Sequence, residues 1–359
     1  MPSVDLITVL VVDDSAFMRK VISDIINSDP LLQVVSTARN GQEALLKINL
    51  YKPDVVTLDI EMPEMDGLTA LEILMSTHPL PVVMVSNMTQ AGAEATIRAL
   101  QLGAVDFIPK PSGQISLDIG KLSDEIIKKI KVAATARVTL QKIGPDPDLS
   151  QIQPNLSLKQ EINYESHLNK LIVIGASTGG PKALNQVLSA IPADIDAALL
   201  IVQHMPAGFT KSLANRLNAV SQIRVKEAEE GETILTGCAY IAPGDYHLRV
   251  YRQKLPLGFR LVVKLGHDSP RGGHRPSVDE MLFSVAEQFW GPVVGVIMTG
   301  MGQDGTAGLK LIRERGAQII AEHQSTCVVY GMPRAAMESG YVNQIVPLPE
   351  ITPTILRLL

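Results

Sequence analysis

The chain has 359 residues, 46% hydrophobic and 19% charged, an ordinary globular balance with room for two cores. Its net charge of −5 gives no general attraction for nucleic acid or anionic membrane, and no apolar run reaches the length of a membrane span. The opening residues lack a basic leader, and two cysteines, Cys238 and Cys327, make neither a disulfide framework nor a metal motif, so a cytoplasmic chain with reduced thiols is expected.

Strand and helix patterns alternate through the first 130 residues. Apolar runs at Ile7–Val12, Gln33–Thr37, Val55–Asp59, Pro81–Ser86 and Ala104–Ile108 read as strands. Helical periodicity fills the gaps at about 14–28, 41–50, 67–77, 91–102 and 118–134. Five such units predict a parallel, flavodoxin-like sheet with helices on both faces. Sites in such sheets form at the carboxyl ends of strands. Here those ends carry Asp13 and Asp14, then Asp59, then Ser86, then Lys110 and Pro111. Three converging carboxylates repel one another and are tolerable chiefly around a hard cation such as Mg²⁺. A lysine and a hydroxyl on the same edge can meet added negative charge. The alternative is a set of solvated loop carboxylates.

With the stretch DIEMPEMDGL at 59–68, these residues make 5–130 resemble a two-component receiver domain. The resemblance implies that Asp59 takes a phosphoryl group from a histidine kinase. Asp13, Asp14, Asp59 and the backbone carbonyl of Glu61 would hold Mg²⁺. Ser86 and Lys110 would contact the phosphoryl group, and Phe107 fits the aromatic switch position.

Residues 131–168 carry prolines at 145, 147 and 154 and no clear apolar period, and read as a linker. Alternation resumes in 169–359 with LIVIGASTGG at 171–180, a buried strand, a glycine turn and a helix. Ser177 lies in a G-x-S-x-G frame with Gly175 and Gly179. Such a turn either exposes a serine hydroxyl above the sheet or lets Ser177 or Thr178 cap the helix. Ala197–Val202 is the next strand, ending in Gln203 and His204, and a helix follows with Phe209, Leu213 and Leu217. The short runs Ala239–Ala242, His247–Tyr251 and Arg260–Leu265 suggest an antiparallel hairpin insertion. After a polar loop at 267–275 come helix Val278–Phe289, strand Pro292–Met298, helix Leu309–Arg315 and strand Gln318–Ala321. A helix near Pro333–Ser339 and a run Gln344–Val346 end the pattern. The expected architecture is a doubly wound, mostly parallel α/β/α sheet.

Three strands of this half lead to Ser177, His204 and Asp304. In a parallel sheet those ends share one edge, and together they supply nucleophile, general base and orienting anion. His323 also follows a strand and rivals His204 by position. The segment Gly300–Gly305 fits G-x-G-x-x-G, with Glu322 about 20 residues on, so a dinucleotide site is a competing reading. It leaves the GASTGG and QHMP segments without a purpose. A third reading is a non-catalytic adaptor. Arg271 and Arg275 make the one compact basic cluster of this half, either solvated surface or a contact for an acidic partner.

The motifs IGASTGGP, QHMP, YIAPGDYH, RPSVD and TGMGQDG occur in order and make residues 171–359 similar to the catalytic domain of the CheB family of chemotaxis protein-glutamate methylesterases. The family places a receiver in front of this domain. The resemblance implies hydrolysis of glutamate methyl esters on chemoreceptors, with deamidation of receptor glutamines as a related activity. Ser177 would attack, His204 would relay the proton and Asp304 would orient the imidazole. Backbone amides around Thr178 and Met301 would hold the oxyanion, and Arg271, His274 and Arg275 would touch the substrate. The esterase chemistry would need no cofactor. A monomer is expected, with a chemotaxis-type histidine kinase and receptor helices as partners, and with neither nucleic acid nor membrane insertion. The domain pairing also leads to the expectation that an unphosphorylated receiver blocks the Ser177 edge.

Overall fold

The structure, a computed structural model, describes residues 6–87, 89–110, 119–138, 168–256 and 258–359. The greater part of the expected linker, and Pro111, lie outside the described residues. The chain divides into two compact units. No helix among the described residues is long and apolar enough to cross a membrane.

The first unit alternates β1 (Ile7–Val12), α1 (Ala16–Asn27), β2 (Leu32–Ala38), α2 (Gly41–Tyr51), β3 (Val55–Asp59), α3 (Gly67–Thr77), β4 (Val82–Ser86), α4 (Gln90–Leu102), β5 (Asp106–Pro109) and α5 (Ile119–Ala134). The sheet order is β2-β1-β3-β4-β5, and every pairing is parallel. Strands β3 and β4 are buried along their whole length, as runs of Val, Thr, Leu and Met covered on both faces must be. Helices α1 and α5 pack together on one side, while α2, α3 and α4 neighbour one another on the other. Side chains start these helices: Ser15, Asn40, Asp66 and Thr89 each accept a first-turn amide. Helix α5 continues to Ala134, and its Lys131 reaches Asp29 at 2.6 Å. The order reverses between β1 and β3, which places the crevice of the sheet above those two strands.

The second unit is built on a seven-stranded sheet of order β14-β13-β12-β6-β7-β9-β8, parallel throughout. Its strands are β6 (Leu171–Ala176), β7 (Ala198–Gln203), β8 (Arg224–Glu227), β9 (Cys238–Ile241), β12 (Val293–Ile297), β13 (Gln318–Glu322) and β14 (Gln344–Val346). The chain enters at the centre with β6, winds one way to β8 and β9, then returns to β12 and winds the other way. Helices α6 (Gly180–Ser189), α7 (Phe209–Val220) and α11 (Leu348–Leu358) pack as one group. Helices α8 (Val278–Gln288), α9 (Thr306–Glu314) and α10 (Met332–Glu338) pack as another, with α8 also lying on the hairpin.

The hairpin itself is β10 (His247–Leu255) with β11 (Gly258–Gly266), antiparallel from His247↔Gly266 to Leu255↔Gly258. This corrects the expectation at one run. Cys238–Ile241 belongs not to the insertion but to the main sheet, in parallel between β7 and β8. Its residues are buried on both faces, which a two-stranded surface hairpin cannot provide. Helix α11 was not expected: Pro349 lies in its first turn and Pro353 inside it. Ile351 and Ile355, fully buried at helical spacing, hold it down.

Candidate active site

The G-x-S-x-G turn follows β6 and opens α6. The cap of α6 is Gly179, at φ +80, which has no side chain to bond the first turn. The cap position therefore falls on Gly179, and not on Ser177 or Thr178 as the capping alternative required. A side chain at Gly179 would strike Val328, and one at Gly180 would strike the Gln203 carboxamide, so close packing demands both glycines. The serine backbone is fixed on every side: Ser177 N donates to Thr299 O at 3.0 Å, and Ser177 O accepts Gly180 N at 2.7 Å and Gln203 Nε2 at 2.9 Å. The half-buried side chain stands on the edge above adjacent strands β12, β6 and β7.

His204 follows β7. Its Nε2 lies 2.8 Å from Asp304 Oδ2, with both side chains less than a tenth exposed. Asp304 precedes Gly305, the cap of α9, which has φ +97. The carboxylate also accepts the Ser277 hydroxyl at 2.8 Å and the amides of Val278 at 2.7 Å and Asp279 at 3.1 Å. These donors sit at the amino end of α8, where the helix dipole favours an anion. Burial works against the charge of Asp304, but the His204 contact and the α8 amides outweigh it and lower the pKa to about 2. Sequence reasoning assigned no role to Ser277. Its signal was present, since Ser277 and Glu280 fit the S-x-x-E capping pattern before an apolar-periodic helix.

The other face of the imidazole is covered. The rings of His204 and His274 stack with centroids 3.9 Å apart and planes 5° from parallel. His274 is held by a tight loop in which Arg271 and His274 exchange backbone hydrogen bonds. The Arg271 Nε donates to Glu280 on α8, and Arg249 on β10 donates to the same carboxylate. Arg275 points elsewhere. It pairs with Asp245 and donates to Asp268 O at 2.8 Å, with its side chain 18% exposed. Arg271, half exposed, borders an open cleft of about 900 Å³ with Arg249, His267 and Glu280.

Thr178 is buried, and Met301 is half-buried in the turn after β12. The two turns touch: a side chain at Gly300 would come within 2.7 Å of Ser177 Cβ. The rival features fall away. His323 bonds to Ser325 at 2.8 Å. Glu322, which a ribose would require, is fully buried and accepts Thr299 N at 2.8 Å. Both cysteines are buried free thiols.

In the first unit, oxygens of Asp13, Asp14 and Asp59 lie within 4.8 Å of one another. Asp13 and Asp59 are buried and Asp14 is exposed. Lys110 Nζ spans the pair, 2.7 Å from Asp59 and 3.2 Å from Asp13. Burial is the main cause that lifts Asp59 to a pKa of about 6, with Asp13 adding repulsion and Lys110 opposing. An oxygen-only set of crowded carboxylates fits Mg²⁺. Gly67 is required beside it, because a Cβ there would lie 1.9 Å from Asp59 O. Glu61 is exposed, and its carboxylate accepts from Asn87 Nδ2 at 3.3 Å. The Ser86 hydroxyl is turned to Gly92 O at 3.1 Å, and Phe107 is buried with Lys129 Nζ 4.9 Å from its ring centre.

The class follows from the two edges together: a receiver of the response-regulator type joined to an α/β unit that sets Ser177 on the same sheet edge as a hydrogen-bonded His204–Asp304 pair. Comparison with known proteins makes this specific. Residues 9–118 match the response regulator receiver domain family, and residues 172–355 match the CheB methylesterase family. The chain belongs to the CheB methylesterase family. It is 57% identical over 352 residues to protein-glutamate methylesterase/protein-glutamine glutaminase 1 of Syntrophomonas wolfei, covering 98% of this chain and 99% of the relative. It is 46% identical over 356 residues to the protein-glutamate methylesterase/protein-glutamine glutaminase of Bacillus subtilis, covering 98% of each. The second unit is similar to the Thermotoga maritima CheB methylesterase catalytic domain, with TM-score 0.51 and 41% identity over 54% of this chain and 100% of that one.

Proposed function

We propose that the chain is a phosphorylation-activated hydrolase for chemotactic adaptation, which removes methyl esters from glutamate side chains of chemoreceptors and deamidates receptor glutamines. The state of the His204 ring carries the reading. Asp304, ionised above a pH of about 2, offers only acceptors, so the Nε2 facing it keeps its proton. In the neutral ring the lone pair then rests on Nδ1, which is buried and has no hydrogen-bond partner among the described residues. A neutral imidazole with a free nitrogen on the edge that carries Ser177 is what a general base requires.

Ser177 Oγ attacks the side-chain carbonyl carbon and passes its proton to His204 Nδ1. The carbonyl electrons move onto oxygen, where the Thr178 and Met301 amides receive the charge; one such donor is typically worth about 10²–10³ in turnover. The C–O bond to the methyl ester oxygen breaks, and Nδ1 returns the proton to the departing methanol. For glutamine the C–N bond breaks and ammonia leaves. Water repeats the sequence on the acyl-enzyme, freeing Ser177 and leaving a glutamate carboxylate. Asp304 stays ionised and supports the imidazolium. Arg271 and His274 border the site and would meet the acidic receptor surface, whereas Arg275 serves by holding their loop.

In the receiver, Asp59 accepts the phosphoryl group of a chemotaxis-type histidine kinase. Asp13, Asp14, Asp59 and the Glu61 carbonyl would hold Mg²⁺, which when bound neutralises charge between carboxylates and phosphoryl oxygens. Lys110 is placed to pair with that group, and Ser86 must release Gly92 O to reach it. The protein works in the cytoplasm. The test is intact-mass analysis after a serine-directed phosphonate. One adduct, located to Ser177 and lost in Ser177→Ala, is expected. No adduct, with tight binding of a dinucleotide instead, would contradict the hydrolase.

A further inference from the structure

Thr299 and Glu322 lie behind the proposed oxyanion amides and have no part in the steps above. Thr299 is 1% exposed and bonds to three neighbouring segments. Its carbonyl accepts Ser177 N at 3.0 Å. Its hydroxyl accepts Val329 N at 3.0 Å and donates to Thr178 O at 3.0 Å. Its own amide donates to Glu322 Oε2 at 2.8 Å. One side chain and one peptide therefore tie the Ser177–Thr178 turn to the turn that carries Met301.

The next peptide is equally constrained. Gly300 O accepts Gly331 N at 3.0 Å and Met332 N at 2.8 Å, and Gly300 N donates to Val329 O at 3.0 Å. In a trans peptide the N–H of Met301 points opposite to that carbonyl, so fixing Gly300 O fixes the Met301 donor. The anchor of the whole strip is Glu322, at the end of β13 and fully buried, which accepts Thr299 N on Oε2 and meets the Thr326 and Cys327 side chains of the turn that follows. A fully buried carboxyl is costly, as the upward push of burial on its pKa shows, and simple packing would be served better by an apolar residue.

We infer that Thr299 and Glu322 are positioning residues that set the spacing between the Thr178 and Met301 amides, and so tune oxyanion stabilisation. The inference rests on the Ser177 mechanism proposed above. Misplacement of a donor acts on the transition state more than on the bound ester, so it lowers kcat and leaves KM nearly unchanged.

The test is steady-state methanol release by the full chain from methylated receptor fragments. Thr299→Val keeps shape and loses the bonds to Thr178 O and Val329 N; kcat falls about 10- to 100-fold with KM within about twofold. Thr299→Ser restores the hydroxyl and recovers kcat to within about threefold. Glu322→Gln retains an acceptor for Thr299 N and stays near wild type, whereas Glu322→Met loses it and lowers kcat about tenfold or more. If Thr299→Val fails to fold, the Gln against Met contrast at Glu322 decides. Equal kcat in that contrast, or a change confined to KM, overturns the inference. An active Ser177→Ala would instead refute the mechanism beneath it, so the two failures are distinguishable.

Discussion

The two switch-point edges use the same architecture to opposite electrostatic ends. In the receiver, three carboxylates crowd together with one lysine paired to two of them, and buried Asp59 is pushed up to about 6. In the esterase unit, one carboxylate takes the Ser277 hydroxyl, two amides and an imidazole, and Asp304 falls to about 2. Asp59 is left short of positive charge, which suits a residue that must gather a cation and accept a phosphoryl group. Asp304 is saturated, which suits a residue that must stay ionised and still while its histidine changes charge. A parallel sheet supplies the edge in both cases; the number of donors around each acid decides what the edge does.

Substitution separates the edges. Ser177→Ala is expected to lower ester hydrolysis by about 10⁴-fold or more while Asp59 phosphorylation by acetyl phosphate is unchanged, as followed by Phos-tag electrophoresis. Asp304→Asn is expected to cost about 10³- to 10⁴-fold, chiefly in kcat, because an amide facing Nε2 no longer enforces the tautomer that leaves Nδ1 free. Asp59→Asn is expected to remove the stimulation by acetyl phosphate and keep the basal rate. A matched loss of basal rate would break the division of labour between the edges.

The titrations give a subtler contrast, with opposite signs. Asp59 is raised, so its contribution favours the folded state below pH 3.8 and is lost as pH rises through about 6. Asp304 is lowered, so its contribution is present above pH 3.8 and is lost as pH falls through about 2. Carboxyl ¹³C NMR of the full chain should show one buried Asp titrating near 6, moving down when Mg²⁺ is added, and another still ionised at pH 3. The smallest effect is expected at the ring stack. His274→Ala should lower kcat by about tenfold or less, read from the initial rate of methanol release, since it removes a cover and not a proton carrier.

Much of this is legible in the amino-acid sequence. Runs such as Val55–Asp59 and Leu171–Ala176 read as buried strands from their apolar content, the first ending on Asp59 and the second followed at once by Ser177. The parts that were not legible depend on partners far along the chain. Strand β8, RVKE, has only Val225 buried and is a strand because β9 lies beside it. Ala239–Ile241 reads like its hairpin neighbours, and only pairing with β7 and β8 sets it apart. Two prolines hid α11. Arg275 reads as a surface cation, but Asp245, 30 residues earlier, consumes it. Glu322 stands where a dinucleotide fingerprint needs an acid, and its bond to Thr299 gives it a different task.

The most direct measurement is methanol release from methylated receptor fragments by wild type and Ser177→Ala, each with and without acetyl phosphate and Mg²⁺. The account predicts release by wild type that rises on phosphorylation, and none in either state from Ser177→Ala. Release that survives in Ser177→Ala, or that is indifferent to phosphorylation in wild type, would contradict it.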